Sequence, residues 1–183
     1  MDNLSTSDDF RQFTAFARVD GAIIGVMWIV SFFCFIGEFA YPVLGFFAFV
    51  LGIGSIAVSA VRLRKFRDNV LDGYIGFGKA VLYSIMIYFY ASLLMAGAQY
   101  IYFEFFDHGY LINQYVTQLS VPDNAAAVKN VYGIDAKQVI AILQASMAKL
   151  RPIDIAFQFL TVNVILAIIL SVPAGAFMRK KKR

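Results

Sequence analysis

Four long apolar stretches with almost no charged residues dominate this chain and limit what it can fold into. They run over residues 21–40, 42–61, 75–104 and 155–177. A helix needs about 20 predominantly apolar residues to cross the hydrocarbon core of a bilayer. Because lipid offers no hydrogen-bond partners to an unpaired backbone, stretches of this length are expected to be helices packed against one another. The sequence therefore predicts an all-α integral membrane protein built as a four-helix bundle.

The composition favours the same class of protein. The chain is 60% hydrophobic and 15% charged, whereas a soluble globular domain carries charge on about a quarter of its residues. With 183 residues, we expect one membrane domain over residues 1–183 and no second folded domain. The polar segment Met1–Asp9 lacks the basic start of a signal peptide, so the first apolar stretch is expected to remain in the protein.

Basic residues collect next to the apolar stretches, in two clusters that account for the net charge of +4. The positive-inside rule places both clusters, and with them both chain termini, in the cytoplasm. The residues serve either as topological anchors or as contacts for anionic lipids or a partner. The first cluster and the tail at residues 178–183 contribute Arg62, Arg64, Lys65 and Arg67, and Arg179, Lys180, Lys181, Lys182 and Arg183.

The segment over residues 105–152 is the only sizeable part predicted to lie outside the membrane, on the outer side. Apolar residues at helical spacing indicate one amphipathic helix from Leu111 to Leu119 and a second from Ala136 to Leu150. The Pro122-Asp123-Asn124 sequence interrupts the pattern between them. We expect two amphipathic helices that lie on the lipid, cover the bundle, or act as plain connectors.

Small residues at a spacing of four recur in the first two stretches. Gly21 and Gly25 form one pair, and Ser55 and Ser59 form another. Such pairs let helix backbones approach closely in membranes, so they predict tight packing within the bundle and are a weaker sign of self-association. The single cysteine, Cys34, has no nearby histidine or second cysteine, and no metal site is predicted.

The ends of the spans that face the outer side carry the best candidates for a functional site. Ionisable groups in a membrane bundle are costly unless they are paired or hydrated. Converging carboxylates there could bind a cation or share a proton. The alternative is simple solvation at the interface, with Lys149 or Arg151 as counter-charges. The candidate cluster consists of Glu38, Gln99, Glu104, Asp107, His108, Asp154 and Gln158.

The third stretch resembles domain-of-unknown-function family 4199. The resemblance rests on Gly73-Tyr74-Ile75-Gly76-Phe77-Gly78-Lys79-Ala80 and on Tyr100-Ile101-Tyr102-Phe103. It implies four spans, an outer segment before the last span, a basic C-terminus and a bacterial inner membrane, mainly in Bacteroidetes. Members often have Asn-Pro after the third span, where this chain has Phe106-Asp107-His108-Gly109. The family has no established activity, so the resemblance implies no functional residues.

No catalytic or transport motif stands out in the sequence, and none of the known cofactor motifs is present. We therefore predict a protein that is not an enzyme, holds no cofactor and binds no nucleic acid. Its partners are expected to be membrane lipids, another membrane protein or a second copy of itself. The leading hypothesis is an accessory or scaffold subunit. The alternative is a small oligomeric transporter or lipid-handling protein that uses the outer carboxylates.

Overall fold

The computed structural model describes residues 7–180, with side chains from Phe10 onward, and this part of the chain is almost wholly α-helical. Four of its helices are long and apolar enough to cross a membrane, which confirms the predicted class of fold. The seven helices of the described chain are α1 (Ser7–Gly37), α2 (Val43–Val70), α3 (Phe77–Phe105), α4 (Tyr110–Ser120), α5 (Pro122–Tyr132), α6 (Ala136–Met147) and α7 (Pro152–Met178).

Two helix boundaries differ from the expected spans. Helix α1 runs without a break from Ser7, well before residue 21. Helix α2 continues past residue 61 to Val70, so the first basic cluster lies on the helix itself and not in the connection after it. Leu, Arg and Lys are good helix formers, and nothing in this run stops the helix. The chain turns only at Asp72 and Gly73, which have left-handed φ angles of 52° and 83°.

The chain forms two compact units. Residues 1–98 and 157–183 form the first, here called the bundle unit, and residues 99–156 form the second, here called the connecting unit. Each is described by itself below. The bundle unit contains α1, α2, most of α3 and most of α7.

Within the bundle unit, α1 packs along α2 and also lies very close to α3. Ser31 Oγ donates a hydrogen bond of 2.8 Å to the carbonyl oxygen of Ala48 in α2. A Cβ atom placed on Gly21 would lie 2.6 Å from Tyr90 Cβ and 2.7 Å from the Ile87 carbonyl oxygen. Only glycine permits this approach, so the glycine pair of α1 serves packing inside the bundle, as predicted.

Aromatic rings fill the core of the bundle unit. The rings of Phe66 and Tyr83 stack with centroids 4.0 Å apart. Phe13 meets both edge-on, at 5.5 and 5.2 Å. The rings of Trp28 and Tyr88 stack at 6.0 Å. These contacts join α1, α2 and α3. They stabilise the bundle unit by more than the burial of apolar area alone.

The connecting unit contains both predicted amphipathic helices, as α4 and α6, and one further helix between them. Pro122 does not simply interrupt the chain: it begins α5. The first helical position tolerates proline because its missing N–H would have no partner there. Helix α5 ends at Tyr132, and Gly133, which follows it, has a left-handed φ of 69°. Asp135 precedes α6 without capping it and forms a 3.1 Å ion pair with Lys129.

Candidate functional site

A buried charge pair in the bundle unit is the most tightly built polar site among the described residues. Asp20 of α1 is only 2% exposed. Arg62 of α2 donates from Nε to Asp20 Oδ1 at 2.6 Å, and its Nη2 also contacts Oδ1. The Tyr83 hydroxyl of α3 donates to Asp20 Oδ2 at 2.7 Å. Both carboxylate oxygens are therefore occupied, and one side chain joins three helices.

This arrangement solves a problem of burial. An isolated carboxylate among apolar helices carries a large desolvation cost, which pairing and hydrogen bonding offset. The Arg62 side chain is 28% exposed, against 3% for Asp20, so the arginine is partly open to its surroundings while the carboxylate is buried. The charge pair is neutral overall and both oxygens of its carboxylate are bonded, which is what a structural brace requires.

Two further polar contacts continue along the same face of α2. Ser59 Oγ and the Tyr88 hydroxyl lie 2.5 Å apart. Trp28 Nε1 donates to Ser55 Oγ at 2.9 Å, and Ser55 Oγ donates to the Gly52 carbonyl oxygen at 2.6 Å. Residues 55, 59 and 62 follow one another at helical spacing, so they lie on one face. We call Asp20, Arg62 and these contacts the polar ladder.

A small cavity of about 90 Å³ lies at one end of the polar ladder. Trp28, Ser55, Tyr88 and Asn163 give it a polar side, and leucines of α7 complete its lining. A water molecule takes up roughly 30 Å³ of liquid, so the cavity has room for a few waters or one very small molecule. At this cavity the Asn163 amide of α7 lies beside the polar ladder, whose residues belong to α1, α2 and α3.

Two of the predicted outer residues, Asp107 and Gln99, are buried within the connecting unit. Asp107 caps α4: its carboxylate accepts from the N–H groups of Gly109 at 3.0 Å and Leu111 at 3.1 Å. Gln99 is 2% exposed, and its Oε1 has no hydrogen-bond partner among the described atoms. Asp107 is therefore committed to a helix end, whereas Gln99 retains an unused acceptor.

Asp154 forms the ion pair that the sequence suggested. It accepts from Arg151 Nε and Nη2, each at 3.0 Å, and from the Arg151 backbone N–H. The hydrogen bond to Asp154 raises the pKa of the Arg151 guanidinium above its ordinary value. Arg151 stays charged in any case, so the pair acts as a surface helix-start contact.

The remaining members of the predicted cluster do not share one environment. Glu104 and His108 are exposed in the connecting unit. In the bundle unit, Gln158 is exposed, and Glu38 is half-buried with its carboxylate over Gly45 at the start of α2. No three His, Cys, Asp or Glu side chains come together as a metal site in the part of the chain that the structure describes.

The connecting unit also has a pocket of about 360 Å³. Polar groups enter it from Asp107, Asn113 and Gln144, and the rest of its lining is mostly apolar, from residues such as Phe103 and Met147. This volume falls within the range of small-molecule sites, and apolar walls with a few polar groups are typical of them.

The basic residues are placed in two ways. Arg62 and Arg67 are engaged inside the chain, with Asp20 and with Asp68. The side chains of Arg64, Lys65, Arg179 and Lys180 are exposed. Lys181, Lys182 and Arg183 lie outside the described residues.

Sequence reasoning missed the polar ladder, although one signal for it was present. Asp20 and Arg62 lie equally far along the chain from Tyr41, which is in the turn between α1 and α2. In an antiparallel helix pair, residues equally distant from the turn come level with each other. An acidic and a basic residue at such positions predict an ion pair. The aromatic partners Tyr83 and Tyr88 carry no comparable signal.

The fold and the site define a four-span helical membrane protein with an internally neutralised charge pair. The chain belongs to the family described as Protein of unknown function (DUF4199), whose sequence profile matches residues 20–180. The match covers α1 from Asp20 onward and the whole of α2, α3 and α7. No curated protein and no solved structure matches the chain.

Proposed function

We propose that this protein is a non-enzymatic accessory or scaffold component of a bacterial inner membrane, where it associates with another membrane protein or with lipid. The observation that carries the proposal is an exposed apolar patch at the end of α5 and the start of the loop to α6. Val131, Tyr132 and Ile134 are 73%, 72% and 41% exposed. We call these three residues the apolar tip.

The apolar tip lies outside the four candidate spans. Lipid chains around a transmembrane helix explain exposed apolar residues on the spans, but not at the end of a short helix of the connecting unit. Exposed apolar patches outside a membrane span commonly mark contacts with proteins or with a membrane surface. The left-handed Gly133 holds the loop in a tight turn, which presents its apolar neighbours without a long flexible segment.

The polar ladder supports a structural role for the bundle more than a catalytic one. Its carboxylate, guanidinium and hydroxyl groups bond to one another. A general acid or base needs an unsatisfied position that can reach a substrate. Both oxygens of Asp20 are already in use, which fits a brace that holds three helices for an interaction partner.

The inner-membrane orientation is part of the proposal. The backbone of Ile75, after α2, pairs with that of Lys180, after α7. The exposed basic residues at both places therefore lie at one end of the bundle unit. A basic excess at one end favours a cytoplasmic position for that end and for the C-terminus.

Site-specific photo-crosslinking tests the proposal. A benzophenone amino acid replaces Tyr132 in the full chain, expressed in its native membrane, and adducts are identified by mass spectrometry. We expect a discrete protein or lipid adduct. The matched control carries the same group at Thr117, which is exposed on α4 of the same unit. Equal adduct patterns at the two positions, or none at Tyr132, would contradict the proposal.

A lipid-handling role is the second candidate, and the pocket of the connecting unit favours it. Its 360 Å³ volume and mixed lining suit part of an amphipathic molecule. Met147→Trp would fill the pocket from one wall. If the pocket handles lipid, this variant should lose binding of a fluorescent phosphatidylglycerol while the unmodified chain retains it.

A further inference from the structure

The last described residues of the chain are held against the loop between α2 and α3. The Lys180 N–H donates to the Ile75 carbonyl oxygen at 3.0 Å, and the Ile75 N–H donates back to the Lys180 carbonyl oxygen at 3.1 Å. Arg67 Nη1 donates to the Met178 carbonyl oxygen at 3.1 Å. We call these two attachments the tail clamp. It fixes Arg179 and Lys180 beside the end of α2.

The tail clamp brings basic side chains from distant parts of the sequence around one carboxylate. Arg67 Nε lies 2.7 Å from Asp68 Oδ1, and Arg64 Nε lies 3.6 Å from Oδ2. The backbone pairing of Lys180 with Ile75 holds a third cation near this end of α2. One carboxylate cannot neutralise three cations. Lys65 and Arg179 add two more exposed charges, so the patch keeps an excess of positive charge.

An apolar surface borders this positive patch. Phe177, on the last turn of α7, is 83% exposed, and Tyr74 is 39% exposed with its ring centroid 6.0 Å from Lys180 Nζ. Both lie where candidate spans end. A soluble anion would need only the basic groups, whereas a lipid has a phosphate for the basic groups and acyl chains for Phe177.

We propose that the tail clamp forms a binding site for the phosphate-bearing headgroup of an anionic membrane lipid. Arg64, Arg179 and Lys180 supply the charge, and guanidinium groups match phosphate with paired hydrogen bonds. Asp68 and the Met178 carbonyl hold Arg67 in place, so Arg67 positions the tail and is not the main headgroup contact. The site is independent of the apolar tip and of the accessory role.

Native mass spectrometry of the full chain tests this site, with phosphatidylglycerol and phosphatidylcholine supplied at equal concentrations. We expect the chain to retain phosphatidylglycerol preferentially. The double variant Arg179→Gln/Lys180→Gln should reduce that preference by about fivefold or more, given the contribution of each basic residue near an anionic surface. Arg67→Lys keeps the charge but loses the fork that holds the tail, and it should also reduce the preference.

Two controls make the result decisive. Lys137→Gln/Lys149→Gln removes the same charge from exposed positions in the connecting unit and should leave the preference unchanged. Inorganic phosphate, added in solution, should compete poorly because it lacks acyl chains. Equal losses in the two double variants, an unaltered preference in Arg67→Lys, or efficient displacement by inorganic phosphate would each overturn the proposal.

Discussion

Asp20 shows how an ionised side chain can be kept among apolar helices. It is 2% exposed, yet each of its oxygens has a partner from a different helix. Leaving one member of a buried pair without the other is far more costly than replacing both by apolar groups of similar size. Asp20 therefore stabilises the bundle only while both of its partners, Arg62 and Tyr83, stay in place.

The charge pair leads to a prediction about stability. Arg62→Met should destabilise the bundle by about 3–5 kcal/mol, because it leaves the Asp20 carboxylate buried and unpaired. Asp20→Leu should cost less, because the Arg62 side chain is 28% exposed and its head can turn toward water. The double variant Asp20→Leu/Arg62→Met should regain much of the stability lost in Arg62→Met. Unfolding of the full chain in detergent, followed by the fluorescence of Trp28, measures these differences.

Arg64→Met serves as the control for this series, since Arg64 is exposed on the same helix. It should leave the unfolding midpoint unchanged. If the losses in Arg62→Met and Asp20→Leu simply add in the double variant, the two side chains act independently and the charge pair is not the brace described above.

At the scale of helices, α1 is held by two different kinds of contact. Toward α2 it uses hydrogen bonds, from Trp28 to Ser55 and from Ser31 to Ala48. Toward α3 it adds close approach at Gly21 and Gly25 to the hydrogen bond that Asp20 accepts from Tyr83. Lipid supplies no hydrophobic force between spans, so packing and hydrogen bonds must hold them together. The two kinds of contact should therefore respond differently to substitution.

A pair of glycine substitutions separates packing from helix propensity. Gly21→Ala should destabilise the bundle by about 1–3 kcal/mol, because the new methyl group meets Tyr90 and the Ile87 backbone. Gly54→Ala, on α2, has no atom within 4 Å of the new Cβ. It should stabilise the protein by up to about 1 kcal/mol through helix propensity. Thermal unfolding in detergent gives both values, and a shift of the same sign in both variants would refute the packing argument.

At the scale of the whole molecule, the sequence predicts what depends on length and composition. The four spans follow from apolar runs, and the structure contains a long helix for each. The sequence predicts contacts poorly where they depend on which faces of the helices meet. Thus Asp107 seemed a candidate for cation binding, but its carboxylate caps α4. Asp20 lay just outside the expected first span, and its two partners come from separate helices.

Helix α5 was missed for a related physical reason. Proline stops a helix that has already begun but is well placed at the first position of a new one. The Pro122 signal is therefore ambiguous without knowing whether a helix precedes or follows it. In this chain a helix both precedes and follows the proline, since α4 ends at Ser120 and α5 begins at Pro122. Only the path of the backbone distinguishes these cases.

The arrangement of the chain across the membrane yields the last prediction. Single cysteines are introduced at Lys65, Arg179 and Lys137, in a background where Cys34 is replaced by alanine. All three positions are exposed. Because the tail clamp joins the ends of α2 and α7, cysteines at Lys65 and Arg179 should react with a membrane-impermeant maleimide from the same side. The proposed orientation, which the excess of basic residues favours, puts that side in the cytoplasm, so they should be labelled only in inverted vesicles. The cysteine at Lys137 should be labelled in intact cells whose outer membrane has been permeabilised.

Labelling of all three from one side would contradict a four-span arrangement in which α3 crosses the membrane. Labelling of Lys65 and Lys137 from the reversed sides would instead keep the four spans and overturn the cytoplasmic position of the basic end.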